Sequence, residues 1–220
     1  MRAFLPLLLA AALFGADTPK ATEKPVAKAV EKPAVRKPLA EQPLRMAKDI
    51  EAFEKQDKAN PPPQHALLLS GASSLRMWKN VAEEMKPYPT INRGFGGSYT
   101  TEVLGYMDRI TLPYHPRVIV FHCGGNDINA GDPPAAPIQR IREYLARLRK
   151  DNPDTAVVFM ATTRAPSRKA KWVDLDQFNR DLAALAKQEK NTWFVDINPA
   201  LNQASGEGKE GHYLKDNLHP

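Results

Sequence analysis

Five short apolar runs constrain this chain more than any other feature. They lie at Ala66–Leu69, Thr90–Asn92, Arg117–Cys123, Thr155–Ala161 and Thr192–Ile197. The last four are rich in β-branched or aromatic residues, and none alternates cleanly between apolar and polar. That pattern suits strands buried on both faces. Helical patterns lie between them. Ile138, Ile141, Leu145 and Leu148 step by three, four and three, and Leu175, Phe178, Leu182 and Leu185 do the same. Strands alternating with helices imply right-handed crossovers and a parallel sheet with helices on both faces. One more helix is expected ahead of the first strand. It carries Met46, Ile50 and Phe53 on one face and stops at Asn60-Pro61-Pro62-Pro63. Residues 201–215, with Gly206, Gly208 and Gly211, read as loop.

The first 44 residues are of a different kind. Arg2 followed by the apolar run Ala3–Leu13 has the form of a secretory signal over residues 1–16, too short to span a bilayer comfortably. Residues 17–44 are Pro, Ala, Lys and Glu with almost no large apolar side chains, the composition of an extended, disordered linker. The folded domain is therefore expected over 45–220, in a secreted or periplasmic protein with no stable membrane span. The formal charge is +6, but residues 1–45 hold eight Lys/Arg against four Asp/Glu, so the body is nearly balanced. A balanced body speaks against a nucleic-acid surface, which needs clustered positive charge. Cys123 is the only cysteine, which rules out an intramolecular disulfide and a Cys-based metal site. His65, His115 and His212 show no ligand spacing, so neither a metal nor another cofactor is expected.

The chemistry is sought where strands end. After the first run the chain reads Ser70-Gly71-Ala72-Ser73-Ser74. A phosphate-binding loop would need a second Gly followed by Lys, and no Lys occurs before Lys79. A Gly-x-Ser-x-Gly elbow would need Gly where Leu75 stands. A nucleophilic Ser also needs a base, a group that orients the base, and donors for an oxyanion. Asp216 and His219, three apart in KDNLHP, can meet on one turn. Residues 92–98, NRGFGGS, offer backbone N–H groups, and residues 122–127, HCGGND, offer an Asn amide. In an open sheet of order 2-1-3-4-5, Ser73, Gly97 and Asn126 would follow strands one, two and three around the ligand crevice.

These four stretches resemble the sequence blocks of the SGNH (GDSL-like) hydrolase superfamily over about residues 45–220. The resemblance implies a flavodoxin-like, three-layer α/β/α sandwich with a five-stranded parallel sheet. It also implies hydrolysis of small-molecule or polymer-borne acyl esters, acetyl or short-chain, through an acyl-enzyme. Carried over, Ser73 is the nucleophile, His219 the general base and Asp216 the group that orients it. The N–H groups of Ser73 and Gly97 and the amide of Asn126 form the oxyanion hole, with Gly96 as the alternative to Gly97. Asp127 supports the turn that holds Asn126. The Gly-Asp-Ser-Leu of the family reads Gly71-Ala72-Ser73-Ser74 here. The sequence stops at Pro220, before the helix that usually follows the last block, so it is expected to be a fragment of a longer chain, the alternative being a protein without that cover. The competing reading is a non-catalytic module that holds a glycan or acyl group in the same crevice. Among the remaining residues, His122 is expected to be a hydrogen-bonded strand-end His and Cys123 a small buried hydrophobe. Met77 and Trp78 are expected in the core, and Arg164 and Arg168 in a solvated loop.

Overall fold

A computed structural model describes residues 43–220. The expected signal, and the expected linker apart from its last two residues, lie outside the described residues. All five apolar runs form strands: β1 (Leu67–Gly71), β2 (Thr90–Gly94), β3 (Val118–His122), β4 (Ala156–Met160) and β5 (Thr192–Val195). Every pair is parallel and the spatial order is β2-β1-β3-β4-β5. The chain order therefore reverses beside β1, and the crevice at the carboxyl ends of β1, β2 and β3 is the switch point of the sheet.

The helices are α1 (Ala47–Ala59), α2 (Ser73–Met77), α3 (Val81–Glu84), α4 (Thr100–Gly105), α5 (Met107–Ile110), α6 (Gly125–Asn129), α7 (Ala135–Asp151), α8 (Trp172–Gln188) and α9 (Asn198–Leu201). The faces read from spacing in α7 and α8 are the buried ones: Ile141, Leu148, Leu175, Phe178 and Leu185 are wholly enclosed. They pack with Leu68, Ile119, Val157, Phe121 and Phe159 into the main core. Phe121 meets Phe159 edge-to-face at 5.7 Å between ring centres and lies 5.1 Å from Tyr144, a geometry that adds to the area buried. Helix α1 buries Ile50 in the main core and is tied to β2 through Arg93. There Arg93, itself buried, pairs with Asp57 and donates from Nε to the Tyr114 hydroxyl at 2.8 Å.

The opposite face is covered unevenly. Leu69, Leu75 and Val81 form a small second cluster, against which Trp78, Val120 and Met160 pack. Further across the sheet, Trp193 is 53% and Val195 48% exposed. The expectation of strands buried on both faces thus holds for β1, where Leu68 and Leu69 are both enclosed, and fails for β5. A run such as TWFV carries β propensity whichever face is covered, so its composition says nothing of what packs on it.

The contrast has a measurable outcome. Phe159→Ala should cost about 3–5 kcal/mol, as for large aromatic truncations in a closed core. Trp193→Ala should cost less than about 1.5 kcal/mol, because half its surface is already in water. Equilibrium urea unfolding of the two variants checks this; equal losses would contradict the uneven covering.

Candidate active site

The turn after β1 is dictated by a close approach. Gly71 has φ +146°, and a Cβ there would come within 2.1 Å of the His122 carbonyl oxygen. Only glycine fits. The same carbonyl accepts the N–H of Ala72 at 2.9 Å, which ties the end of β1 to the end of β3. The chain then turns into α2 with Ser73 as its first residue, so the Ser73 N–H has no partner inside the helix. Asn92 of β2 fixes where α2 stops, donating from Nδ2 to the Leu75 carbonyl at 2.7 Å.

The last loop brings His219 and Asp216 to Ser73. Ser73 Oγ lies 2.7 Å from His219 Nε2, and His219 Nδ1 lies 2.6 Å from Asp216 Oδ2. Asp216 Oδ1 accepts the backbone N–H of Leu218 at 2.9 Å and of His219 at 3.1 Å. The hydrogen bond from His219, then those two backbone donors, hold the Asp216 carboxyl down at about 2. It is an anion at any ordinary pH and can only accept. Nδ1 of His219 therefore carries the proton, and Nε2 is left to accept from the Ser73 hydroxyl. Two backbone bonds hold the loop: Leu214 N–H to His219 O at 2.8 Å, and Ser167 N–H to Asn217 O at 3.0 Å.

Asn126 stands in α6, just past β3. Its Nδ2 donates to the Ser98 carbonyl at 3.0 Å. The neighbouring Asp127 is fully buried and points the other way. Its carboxylate accepts the N–H of Thr100 at 3.1 Å, the Thr100 hydroxyl at 2.7 Å and Arg140 Nη1 at 2.9 Å. Arg140 also reaches Asp132 at 2.8 Å. Burial pushes the Asp127 carboxyl up to about 6 despite the Thr100 donors and Arg140. Asp127 thus braces the turn, as expected, and also reaches across to the loop after β2. Arg140, the partner it needs, carries no signal in the sequence: it lies on a helix 13 residues away.

Ser73, Asn126 and His219 line one cavity of about 30 Å³, and Asp216 reaches it through His219. Gly97 stands on the turn after β2 with φ +68°; it is not among the residues that line this cavity. His122 lines it too, and its Nδ1 donates to the Met160 carbonyl at 3.3 Å. Cys123 is buried, and burial raises its thiol far above the ordinary range. Trp78 is partly buried against the second cluster, as expected.

Arg164 and Arg168 depart from the expected solvated loop. A turn of 3₁₀ helix at Pro166–Lys171 folds that stretch back over the site. Arg164 lies over the Trp172 ring, 4.6 Å from its centre. Arg168 enters the cavity and donates from Nη2 to Asn126 Oδ1 at 2.5 Å. In the run TTRAPSRKAK neither Arg has a spacing that sets it apart from its cationic neighbours.

The buried His122 makes acid lability testable. Desolvation, chiefly, lowers its pKa from 6.5 to about 4; the nearby Arg168 and His219 act in the same direction, while its bond to Met160 opposes. Between those values the unfolded chain binds a proton that the folded chain refuses. Stability is then lost as pH falls through that window, on the order of 3 kcal/mol in all. His122→Asn keeps a donor for Met160 but no titrating group. Unfolding curves taken between pH 4 and 7 should fall by that much less in the variant; parallel curves would contradict the assignment.

No curated protein matches the sequence. Similar solved structures do exist. A Streptococcus pneumonia protein provisionally named a platelet activating factor has a TM-score of 0.69 at 19% identity, with 78% of this chain and 83% of that one covered. A GDSL-like lipase from Bacteroides thetaiotaomicron has a TM-score of 0.65 at 19% identity, covering 78% and 88%. A catalytic mutant of the acetylxylan esterase Axe2 from Geobacillus stearothermophilus has a TM-score of 0.57 at 13% identity, covering 72% and 88%. At such identities these likenesses bear on the fold alone. The family match bears on more, because it runs over residues 63–220 and takes in every one of the blocks just described. On that match the chain belongs to the GDSL-like lipase/acylhydrolase family of carboxylic ester hydrolases.

Proposed function

We propose that this protein is an exported serine esterase that removes acetyl or other short acyl groups through an acyl-enzyme. One observation carries the reading: the unbroken line from Ser73 Oγ through His219 to an ionised Asp216, at 2.7 and 2.6 Å. A binding module has no use for such a line. In the reaction, Ser73 Oγ attacks the ester carbonyl carbon and its proton passes to His219 Nε2. Asp216 stabilises the imidazolium that results. The carbonyl oxygen takes up negative charge toward the N–H of Ser73 and the free N–H of Asn126, the two candidate donors that line the cavity. As the intermediate collapses, the alcohol leaves with the proton from His219. Water then enters with His219 again as base, releases the acid and restores Ser73.

A short acyl group is the reading favoured by the narrow space directly at Ser73, about 30 Å³ beside His122, Thr162, Thr163 and Arg168. An apolar cleft of about 470 Å³ that shares Ser74, His122 and Thr163 opens next to it, and a longer chain lodged there is the alternative that esters of increasing chain length separate. The alcohol part belongs to a small molecule or a polymer. Among the described residues no helix is long and apolar enough to cross a membrane. The export reading rests on Arg2 and the apolar run after it.

Two outcomes check these statements. A fluorophosphonate should label the wild type once, at Ser73, and acetyl esters should turn over at least about tenfold faster than octanoyl esters in kcat/KM. Ser73→Ala should lose both label and turnover with its unfolding curve unchanged. Labelling that survives in Ser73→Ala sinks the nucleophile assignment, and a preference for octanoyl sinks the short-acyl reading. For export, the chain made with its full N-terminus in a bacterial host should collect outside the cytoplasm with the apolar run removed; complete cytoplasmic retention overturns it.

A further inference from the structure

An oxyanion hole built on an Asn side chain has a weakness that a backbone N–H does not share. The amide can turn over. If Oδ1 replaced Nδ2, an acceptor would face the developing negative charge and repel it. Something must make one orientation far better than the other.

At Asn126 both neighbours are one-way groups. The Ser98 carbonyl, 3.0 Å from Nδ2, can only accept. Arg168, whose Nη2 is 2.5 Å from Oδ1, can only donate. The flipped amide would set carbonyl against carbonyl and N–H against guanidinium. Gly125 makes room for this contact, since a Cβ there would come within 2.9 Å of Arg168 Nη1. The guanidinium is half-buried and lines the same cavity as Ser73 and His219. Its pKa is lowered by desolvation, and no carboxylate is among the groups that offset this. The cation is thus held near the reacting carbonyl at a desolvation cost that protein anions do not repay. The Ser98 bond uses one of the two amide protons, so one N–H remains for the substrate.

We infer that Arg168 is a positioning residue for catalysis: it locks the Asn126 amide with its N–H toward the substrate carbonyl and adds positive charge behind it. The inference rests on the reading that Asn126 is an oxyanion donor. Arg168 acts on the reaction through Asn126, although its side chain also lines the cavity. Its contribution should therefore appear in the transition state, in kcat, and leave ground-state binding alone.

The test is a double-mutant cycle on the full chain, with a chromogenic acetyl ester as substrate. Arg168→Met should lower kcat about 10- to 100-fold, less than the 10²–10³ typical for loss of a whole donor, with KM within about threefold. Arg168→Lys, which can still donate to Oδ1, should recover part of the loss. In an Asn126→Ala background, Arg168→Met should cost less than about threefold more, because the group it positions is gone. Urea midpoints separate these effects from unfolding. If Arg168→Met does not fold, Arg168→Leu, which likewise cannot donate, takes its place in the cycle. Unchanged kcat in the Met or Leu variant overturns the inference. So does a loss confined to KM, which would mark Arg168 as a substrate contact, or a fully multiplicative double variant. If Asn126→Ala itself keeps wild-type kcat, the oxyanion reading falls first and the inference with it. A loss in Asn126→Ala alone leaves that reading standing and removes only the role of Arg168.

Discussion

The Asp127 carboxylate is fully enclosed, and the two loops that frame the cavity both hang on it. From the α6 side it fixes the turn that carries Asn126. From the α4 side it takes both donors of Thr100, at the end of the glycine turn after β2. A buried charge needs donors and a counter-charge, and Arg140 supplies the latter while also reaching Asp132. Removing one member would strand the others in a dry interior, which costs far more than the pair contributes. The arrangement therefore acts as a clamp: the spacing between the strand-two and strand-three sides of the crevice is set by one carboxylate rather than by two independent loops. Ser98, whose carbonyl holds the Asn126 amide, lies on the clamped stretch.

Charge is distributed unevenly around Ser73. Asp216 lies at the outer end, exposed and ionised. His122 forms an inner wall that stays neutral because burial prevents its protonation. Arg168 supplies the only full positive charge among the described residues that line the cavity, apart from a protonated His219. On the function proposed above, an ester carbonyl entering there would meet acceptors and an anion on the His219 side, and donors and a cation on the Asn126 side. That polarity exists before substrate arrives. Fixed dipoles need no reorganisation at the moment of reaction, which is where such sites gain over water.

Much of this was legible in the sequence, and the reasons differ from part to part. The strands and the faces of α7 and α8 could be read because burial imposes a period that neighbouring residues reveal. Ser73, Asn126, Asp216 and His219 could be singled out because each sits just past a strand or in the last loop, beside residues its geometry requires. Asp216 and His219 meet on a single turn, so their contact is local. Arg140 and Arg168 could not be found that way. Their partners are 13 and 42 residues distant, and a guanidinium on a long stem serves equally well in water. The exposed flank at Trp193 and Val195 was hidden for a related reason, since composition records the preference for a strand and not the presence of a cover.

The turn at Pro166–Lys171 carries more than Arg168. The N–H of Ser167 holds Asn217, midway between Asp216 and His219 in the last loop. One short turn is thus a common anchor of the loop that carries His219 and of the Asn126 amide opposite it. The two halves of the site share a single mechanical support, so a shift of that turn would detune both together. Because the Ser167–Asn217 bond joins two backbone groups, sequence divergence can change both side chains while the turn and the terminal loop, some fifty residues apart in the chain, keep their contact.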